Sequence, residues 1–460
     1  MAPLSNFEQL TPLDLVMPRT YVQALLTFQT TDPTAFAHAQ RGLDDLSKQW
    51  PWLSGRVLRS TVPGGEKPTL QLRCDETETP PKLVDHGTIP ASYDELSAKG
   101  MSAADIPKHV WPTPDLTDDA YTTHGAPVFA GSFSRFSGSK GVALCVSIHH
   151  NVVDATGFAE VLRCWARSIT QPGSIDLVTS SGRLACLSDA LATDLQAASA
   201  APLEDLFAAH PAYSSTPPSL PGEFPPCTSK LFRIPITQLD TFKQLLQGHM
   251  ATSPSTNTLL CALIWQAVIR ARAHRKPEAL ATQASRLVTA VDGRQRIDQR
   301  LVALAEPYLG NVVLYALAEA TGEDLEKPLE RDSAAPLAKI CETIRQSQSP
   351  EKIDRQHIAE VYSLVDRSDS YEAVFPGWDL FNSRDLTITS WSDLPLYGLD
   401  FGQALGKPEH VRMPYVEADG VACILPRKRA ANELLDVVIM LRRDDMAILE
   451  QDNLLKTLTG

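Results

Sequence analysis

Long apolar runs are missing from this 460-residue chain, and no uncharged stretch of about 18 apolar residues occurs, so no segment reads as a membrane-spanning helix. Met1 to Val16 contain no basic segment followed by an apolar core, so a secretory signal of the usual form is not expected and the protein is read as cytoplasmic. Paired cysteines are missing too. The eight cysteines, Cys74, Cys145, Cys164, Cys186, Cys227, Cys261, Cys341 and Cys423, never fall in C-x-x-C spacing, so neither a disulfide framework nor a zinc site is expected, and no metal is assigned. Excess positive charge is absent as well: 42 Lys and Arg face 55 Asp and Glu, a net charge of −13. That balance argues against nucleic acid or an anionic membrane as partner. Internal repeats and long low-complexity tracts are also lacking.

What is present describes a globular protein of two units. Hydrophobic residues make up 43% and charged residues 21% of the chain, and its length exceeds one ordinary core, which leads to two domains of roughly 200 residues each. The clearest composition shift lies at 198–230, where Pro211, Pro217, Pro218, Pro221, Pro225 and Pro226 disfavour both helix and central strand. The expected division is therefore 1–197, a crossover linker 198–230, and 231–460, with part of the late chain free to pack on the first unit.

Within the first unit stands Ser147-Ile148-His149-His150-Asn151-Val152-Val153-Asp154-Ala155-Thr156-Gly157, a His-His-x-x-x-Asp-x-x-Gly constellation. With 11 histidines in the chain, chance supplies about one His-x-x-x-Asp match, so context has to carry the meaning. Val142, Leu144, Val146 and Ile148 form one side of a strand and Ala143, Cys145, Ser147 and His149 the other, so His150 continues the more apolar side. Phe158, Val161, Leu162, Trp165 and Ile169 follow at helical spacing. The motif therefore sits on a tight strand-to-helix turn, where Gly157 permits close approach or positive φ and Asp154 or Thr156 caps the helix. A histidine there is either a general base or a buried structural residue beside a capping aspartate.

Further along, Ser255-Thr256-Asn257-Thr258 precede an amphipathic helical pattern that ends in the basic run Arg270 to Lys276. Such a hydroxyl-capped N-terminus is either structural or a phosphate acceptor. A strand over 287–291 leads into Asp292-Gly293-Arg294, where Arg294 is a candidate partner for a buried carboxylate. Pro307 to Asn311, Thr387 to Trp391, and a glycine-rich loop containing Asp400, Phe401 and Gly402 complete the set. The basic runs, including Arg427-Lys428-Arg429, are expected to be solvated.

Taken in order, these blocks resemble the BAHD acyltransferases of the His-x-x-x-Asp superfamily, together with Leu10 to Asp14 and Trp50 to Arg56. The paired histidines and the form Asp400-Phe401-Gly402-Gln403-Ala404-Leu405-Gly406-Lys407-Pro408 are closest in style to fungal acetyltransferases of specialised metabolism, such as the trichothecene acetyltransferases. This chain lacks the Trp of the plant Asp-Phe-Gly-Trp-Gly loop and carries two extra residues. The resemblance implies an α/β fold of two chloramphenicol-acetyltransferase-like domains, mixed β-sheets flanked by helices, with the active-site channel between them. It implies an acyl-CoA co-substrate, acetyl-CoA above others, no permanently bound cofactor, a small-molecule alcohol or amine as acceptor, and a monomer. His150 then becomes the general base and Asp154 an organiser paired with Arg294, while His149 is structural. Thr389 and Trp391 line the oxyanion region, Ser255 and Thr256 face the CoA phosphates, and Asp400 and Gly402 shape a loop away from the chemistry. The acceptor pocket is assigned to loops such as 111–130 and 375–384. Two other functions stay open: a condensation or product-release enzyme of the same fold that draws its acyl group from a carrier protein, and a non-catalytic member that binds a metabolite or a protein.

Overall fold

Alternating apolar side chains build two neighbouring strands of a five-stranded mixed sheet in the computed structural model, which describes residues 7–460 apart from 62–64, 66, 75–78, 114–124, 139, 174–181, 276–282, 304–306, 328–333 and 431–432. The sheet takes β1 (Tyr21–Phe28), β2 (Leu83–Ser92), β3 (Phe129–Ser137) and β4 (Val142–His149) in the spatial order β1-β4-β3-β2. A strand from far along the chain, His410–Arg412, pairs antiparallel with the other edge of β1. Antiparallel register sets Tyr21 opposite His149 and Phe28 opposite Val142.

Every residue of β4 is buried because both of its faces are covered. Val142, Leu144, Val146 and Ile148 enter the main core with Phe158, Val161, Leu162 and Trp165 of the following helix, α1 (Ala155–Thr170). Ala143 and Cys145, on the opposite face, join a smaller cluster with Leu25, Tyr93 and Phe136. Each large apolar side chain buried in this way contributes about 1.5–3 kcal/mol. The strand's end, and with it the His-x-x-x-Asp turn, is thus anchored from two sides.

The second sheet holds β5 (Cys227–Pro235), β6 (Ala284–Asp292), β7 (Val313–Thr321), β8 (Leu386–Ser390), β9 (Val421–Ile424) and β10 (Leu434–Arg442), ordered β5-β10-β9-β8-β6-β7. Strands β6, β8 and β9 run parallel, so β6 and β8 end on the same side of the sheet. Helix α2 (Thr256–Ala273) departs from expectation. It is buried at every position from Thr258 to Ile269, not along one stripe, because helices Gly322–Glu326, Ala335–Ser347 and Arg443–Leu449 pack around it as the centre of a second core.

The basic run that ends α2 is likewise not a solvated face. Arg270 forks onto Asp452 at 3.0 and 2.9 Å, buried Arg272 donates to the Asp385 carbonyl at 2.9 Å and to Asp419 at 3.0 Å, and Arg275 forks onto Asp445 at 2.9 and 2.7 Å. These guanidiniums fasten α2 to the late chain; Lys276 lies outside the described residues. In Arg427-Lys428-Arg429, Arg427 is held by Glu433 and Lys428 by Glu409, leaving Arg429 largely exposed. Segment 211–226 carries no helix, and its Tyr213–Ser214 pair only with Phe375–Pro376. A helix, Leu203–Ala209, nevertheless occupies part of the stretch read as linker, with Leu206 buried.

Candidate active site

Beyond β4 the chain turns sharply. The main-chain N–H of His149 donates to the Val128 carbonyl at 2.8 Å and that of His150 to the Thr20 carbonyl at 2.9 Å. Asn151 pins the turn from below, its Nδ2 donating to the carbonyls of Asp14 and Met17 at 2.6 and 3.0 Å. Asp154, in extended conformation, is the N-cap of α1, and its Oδ1 accepts from the Gly157 N–H at 2.9 Å. Gly157 serves close approach and not positive φ: a Cβ there would lie 2.2 Å from the Leu309 carbonyl oxygen. The 307–311 segment therefore rests against the first turn of α1.

That segment and the end of β6 bring Arg294 to Asp154, 140 residues apart in sequence. Arg294 Nη1 and Nη2 reach the two carboxylate oxygens at 2.9 Å each, with both side chains almost fully buried. The remaining Asp154 lone pairs accept from Gly157 and from the Val312 N–H at 3.1 Å. Arg294 also donates to Asp292 at 3.0 Å and to the carbonyls of Tyr308 and Gly310 at 2.9 and 2.6 Å. Burial opposes the guanidinium charge, but Asp154 and Asp292 outweigh it and push the Arg294 pKa up. The Asp154 carboxylate is thus saturated by its partners on Arg294, Gly157 and Val312. None of its hydrogen bonds goes to His150.

The two histidines differ in environment. His149 is wholly buried, its ring edge-on to Tyr21 at 5.3 Å and its Nδ1 accepting from the Asn151 N–H at 3.2 Å. Burial, with the neighbouring His150, pushes it down to about 3, so it stays neutral except at strongly acid pH. His150 keeps partial contact with solvent while its Nδ1 is buried. Burial also lowers the His150 pKa, opposed by its own main chain, Asp154, the Asn311 side chain and the Val153 main chain. A neutral imidazole that is not wholly closed off from solvent can accept a proton near pH 7.

The other expected residues are spread more widely. Trp391, just past the end of β8, is buried with its ring 5.8 Å from Phe158 of α1, so that strand end reaches the helix that follows the motif. Thr389 is partly exposed, paired in register with Cys423 of β9. Ser255 caps α2, its Oγ accepting from the Thr258 N–H at 3.0 Å, and Lys243 donates to Thr256 Oγ1 at 2.7 Å. The loop at Asp400 is held from within: Asp400 accepts from the Gly402 N–H at 2.9 Å, Gly402 has φ of 79°, and Phe401 is buried against Phe28 and Trp165. Positions 114–124 of the first acceptor loop lie outside the described residues. The second, 375–384, lines an open cleft of about 640 Å³ together with Tyr213 and Pro217 of the crossover. That cleft sits at the start of β6 and β8, whereas Arg294 and Trp391 follow their ends, so it lies across the sheet from the motif. Among the described residues no group of three His, Cys, Asp or Glu is placed to hold a metal, and no helix is long and apolar enough to cross a membrane.

Asp14 and Asn311, which belong to the blocks Leu10 to Asp14 and Pro307 to Asn311 but had no role of their own, meet next to the motif. Thr11-Pro12-Leu13-Asp14 is a capping box on helix Pro12–Leu15, and that T-x-x-D spacing was the available signal. Asn311 closes the Pro307 to Asn311 block, but its partners Asp14 and His150 come from distant segments that no local signal names.

Comparison with known proteins gives this geometry a family. The model of the Transferase family matches residues 113–455, and that of the trichothecene 3-O-acetyltransferase-like N-terminal domain matches 20–168. The chain belongs to the Transferase family, the BAHD acyltransferases its motifs resemble. Among relatives of this transferase, the trichothecene 8-O-acetyltransferase of Fusarium sporotrichioides is 26% identical, with 96% of each chain covered. The fumigaclavine B O-acetyltransferase of Aspergillus fumigatus is 24% identical, over 92% of this chain and 90% of the relative. The crystal structure of F. sporotrichioides TRI101 with coenzyme A and T-2 superposes with a TM-score of 0.77 at 20% identity, covering 99% of both chains. Vinorine synthase gives 0.63 at 17%, covering 100% of this chain and 96% of its own. The expected α/β architecture of mixed sheets flanked by helices is thereby borne out.

Proposed function

We propose that this transferase is an acyl-CoA-dependent O-acetyltransferase that acts on a hydroxyl of a specialised metabolite, with His150 as general base. One observation carries the reading: Asp154 spends its hydrogen bonds on Arg294, Gly157 and Val312, leaving His150 as the proton acceptor of the motif. The names of the two relatives, both O-acetyltransferases, and the coenzyme A held by the superposing TRI101 structure support acetyl-CoA as donor.

In the proposed reaction His150 Nε2 takes the acceptor's O–H proton as its oxygen bonds to the thioester carbonyl carbon. The displaced electron pair resides on the carbonyl oxygen, where the Thr389 hydroxyl donates to it in a pocket walled by Trp391. Collapse expels the CoA thiolate, and the imidazolium proton passes to sulfur, giving ester and free CoA. Arg294 holds Asp154, and Asp154 holds the turn. Ser255 and Thr256, with Lys243 beside them, offer hydroxyls and positive charge to the CoA phosphates. Asp400 and Gly402 shape a supporting loop. On this reading the channel runs between units 1–197 and 231–460, joined by crossover 198–230, in a cytoplasmic monomer.

Purified protein supplied with acetyl-CoA and a panel of terpenoid and alkaloid alcohols, deoxynivalenol among them, should release CoA thiol and acetyl ester. His150→Ala should abolish the release. Absence of thiol with every acyl-CoA and acceptor, or transfer only from a phosphopantetheinyl carrier protein, would overturn the proposal.

A further inference from the structure

Asp14 and Asn311 form a second buried polar unit, separate from Asp154 and Arg294, that reaches His150 through its main chain. Asp14 is fully buried; its Oδ2 accepts from the Thr11 N–H and hydroxyl at 2.9 and 2.8 Å. Its Oδ1 accepts from the Asn311 N–H and Nδ2, each at 2.8 Å, and Arg183 approaches Oδ2 at 3.9 Å. The second Nδ2 hydrogen of Asn311 goes to the His150 carbonyl at 2.8 Å. A carboxylate and a carbonyl are both pure acceptors, so only the NH₂ end of the amide can face them. The orientation of Asn311 is therefore dictated, and its Oδ1 must point elsewhere.

Two buried polar atoms remain unpaired at this junction: Asn311 Oδ1 and His150 Nδ1. Neither bonds the other in this structure; on residues already joined through the His150 carbonyl, a buried acceptor and a buried ring nitrogen become complementary once that nitrogen carries hydrogen and the side chains close on each other. We infer that Asn311, held by Asp14, positions His150: its Nδ2 fixes the His150 carbonyl while its Oδ1 favours the proton on Nδ1, leaving Nε2 bare to face the acceptor. Asn311 acts through His150 and touches no reacting atom. The role rests on His150 being the base, and it draws on three distant segments of chain, so it is a property of the assembled fold. Burial of Asp14, which raises its pKa against the pull of Arg183 and Asn311, makes the carboxylate a costly choice for a mere spacer.

The test uses the full chain with ¹⁵N-labelled histidine, the His150 signals being assigned by their disappearance in His150→Ala. In the parent protein the shifts should show Nδ1 protonated; in Asn311→Ala they should move toward the other tautomer. With acetyl-CoA and a turning-over alcohol, kcat should fall about 10- to 100-fold, the loss of one buried hydrogen-bonding partner, with KM for acetyl-CoA within about twofold. In a His150→Ala background the same substitution should change the residual rate less than about twofold. Unchanged His150 shifts with kcat within about twofold of the parent would overturn the inference, as would an equal loss in the His150→Ala background. Should Asn311→Ala fail to fold, Asp14→Asn and Asn311→Ser are read by the same spectra and the same limits. A fully active His150→Ala would instead sink the general-base reading itself.

Discussion

Removing the Asp154 carboxylate tests whether the aspartate of the motif braces the turn or takes part in the chemistry. Asp154→Ala deletes the acceptor of four buried hydrogen bonds: two charge-assisted bonds from Arg294 and one each from the main-chain N–H groups of Gly157 and Val312. Charge-assisted bonds contribute about 1.5–3 kcal/mol each and an orphaned buried N–H costs about 1–3 kcal/mol, so simple addition gives far more than is realistic. Arg294 retains Asp292 and two carbonyls, which leaves its charge partly compensated. The expected loss is therefore that of a buried pair broken from one side, about 3–5 kcal/mol. Arg294→Met should cost a similar amount, and the double substitution should be less harmful than the sum, with a coupling of about 1–3 kcal/mol. Urea unfolding followed by tryptophan fluorescence measures these shifts, and turnover is read in parallel where each variant stays folded. If Asp154 is a brace, kcat of the folded variant should fall no more than about tenfold, the scale of a loosened geometry. An unchanged urea midpoint with kcat lowered more than about a thousandfold would refute this reasoning and put Asp154 in the proton path.

Other substitutions separate the remaining roles. His150→Ala should lower kcat by about 10²–10⁴, the range for loss of a general base, with a much smaller effect on the urea midpoint, since the Asn311 bond to the His150 carbonyl is a main-chain bond that the substitution keeps; equal losses of stability and rate would contradict it. Because burial lowers the His150 pKa and the base must be neutral, activity should persist below about pH 6.5, the ordinary histidine value, and fall only at more acid pH; an acid limb centred at or above that value would count against it. His149, held at about 3 in the folded state, gains its proton first in the unfolded chain, so stability should decline as pH falls from about 6.5 toward 3. At pH 5 that one residue accounts for about 2 kcal/mol, so the acid sag in melting temperature should shrink in His149→Gln. Gly157→Ala forces a Cβ onto the Leu309 carbonyl and should destabilise by about 1–3 kcal/mol; a neutral effect in thermal melts would show that segment 307–311 yields easily.

Much of this protein could be read along the chain. The period-two alternation over Val142–Ile148 and the 3.6-residue spacing of Phe158, Val161, Leu162 and Trp165 are local signals, and the structure returns them as β4 and α1 with the stated faces. Capping is local as well, which is why Asp154 and Ser255 were found. Burial is not. Nothing within Thr258–Ile269 discloses that other helices enclose α2 on every side, and nothing in Arg270 to Arg275 names Asp452, Asp419 and Asp445 as partners, so a buried helix was read as amphipathic and its ion pairs as a solvated face.

Local pattern was enough for the strand-to-helix turn that carries His150 and Asp154 and for the ordered motifs that mark a BAHD transferase. What those residues do to one another came from packing. It brought Arg294 to Asp154 across 140 positions and Asn311 to Asp14 across 297, because a polar group removed from water needs partners wherever the packed chain can supply them, however distant in sequence.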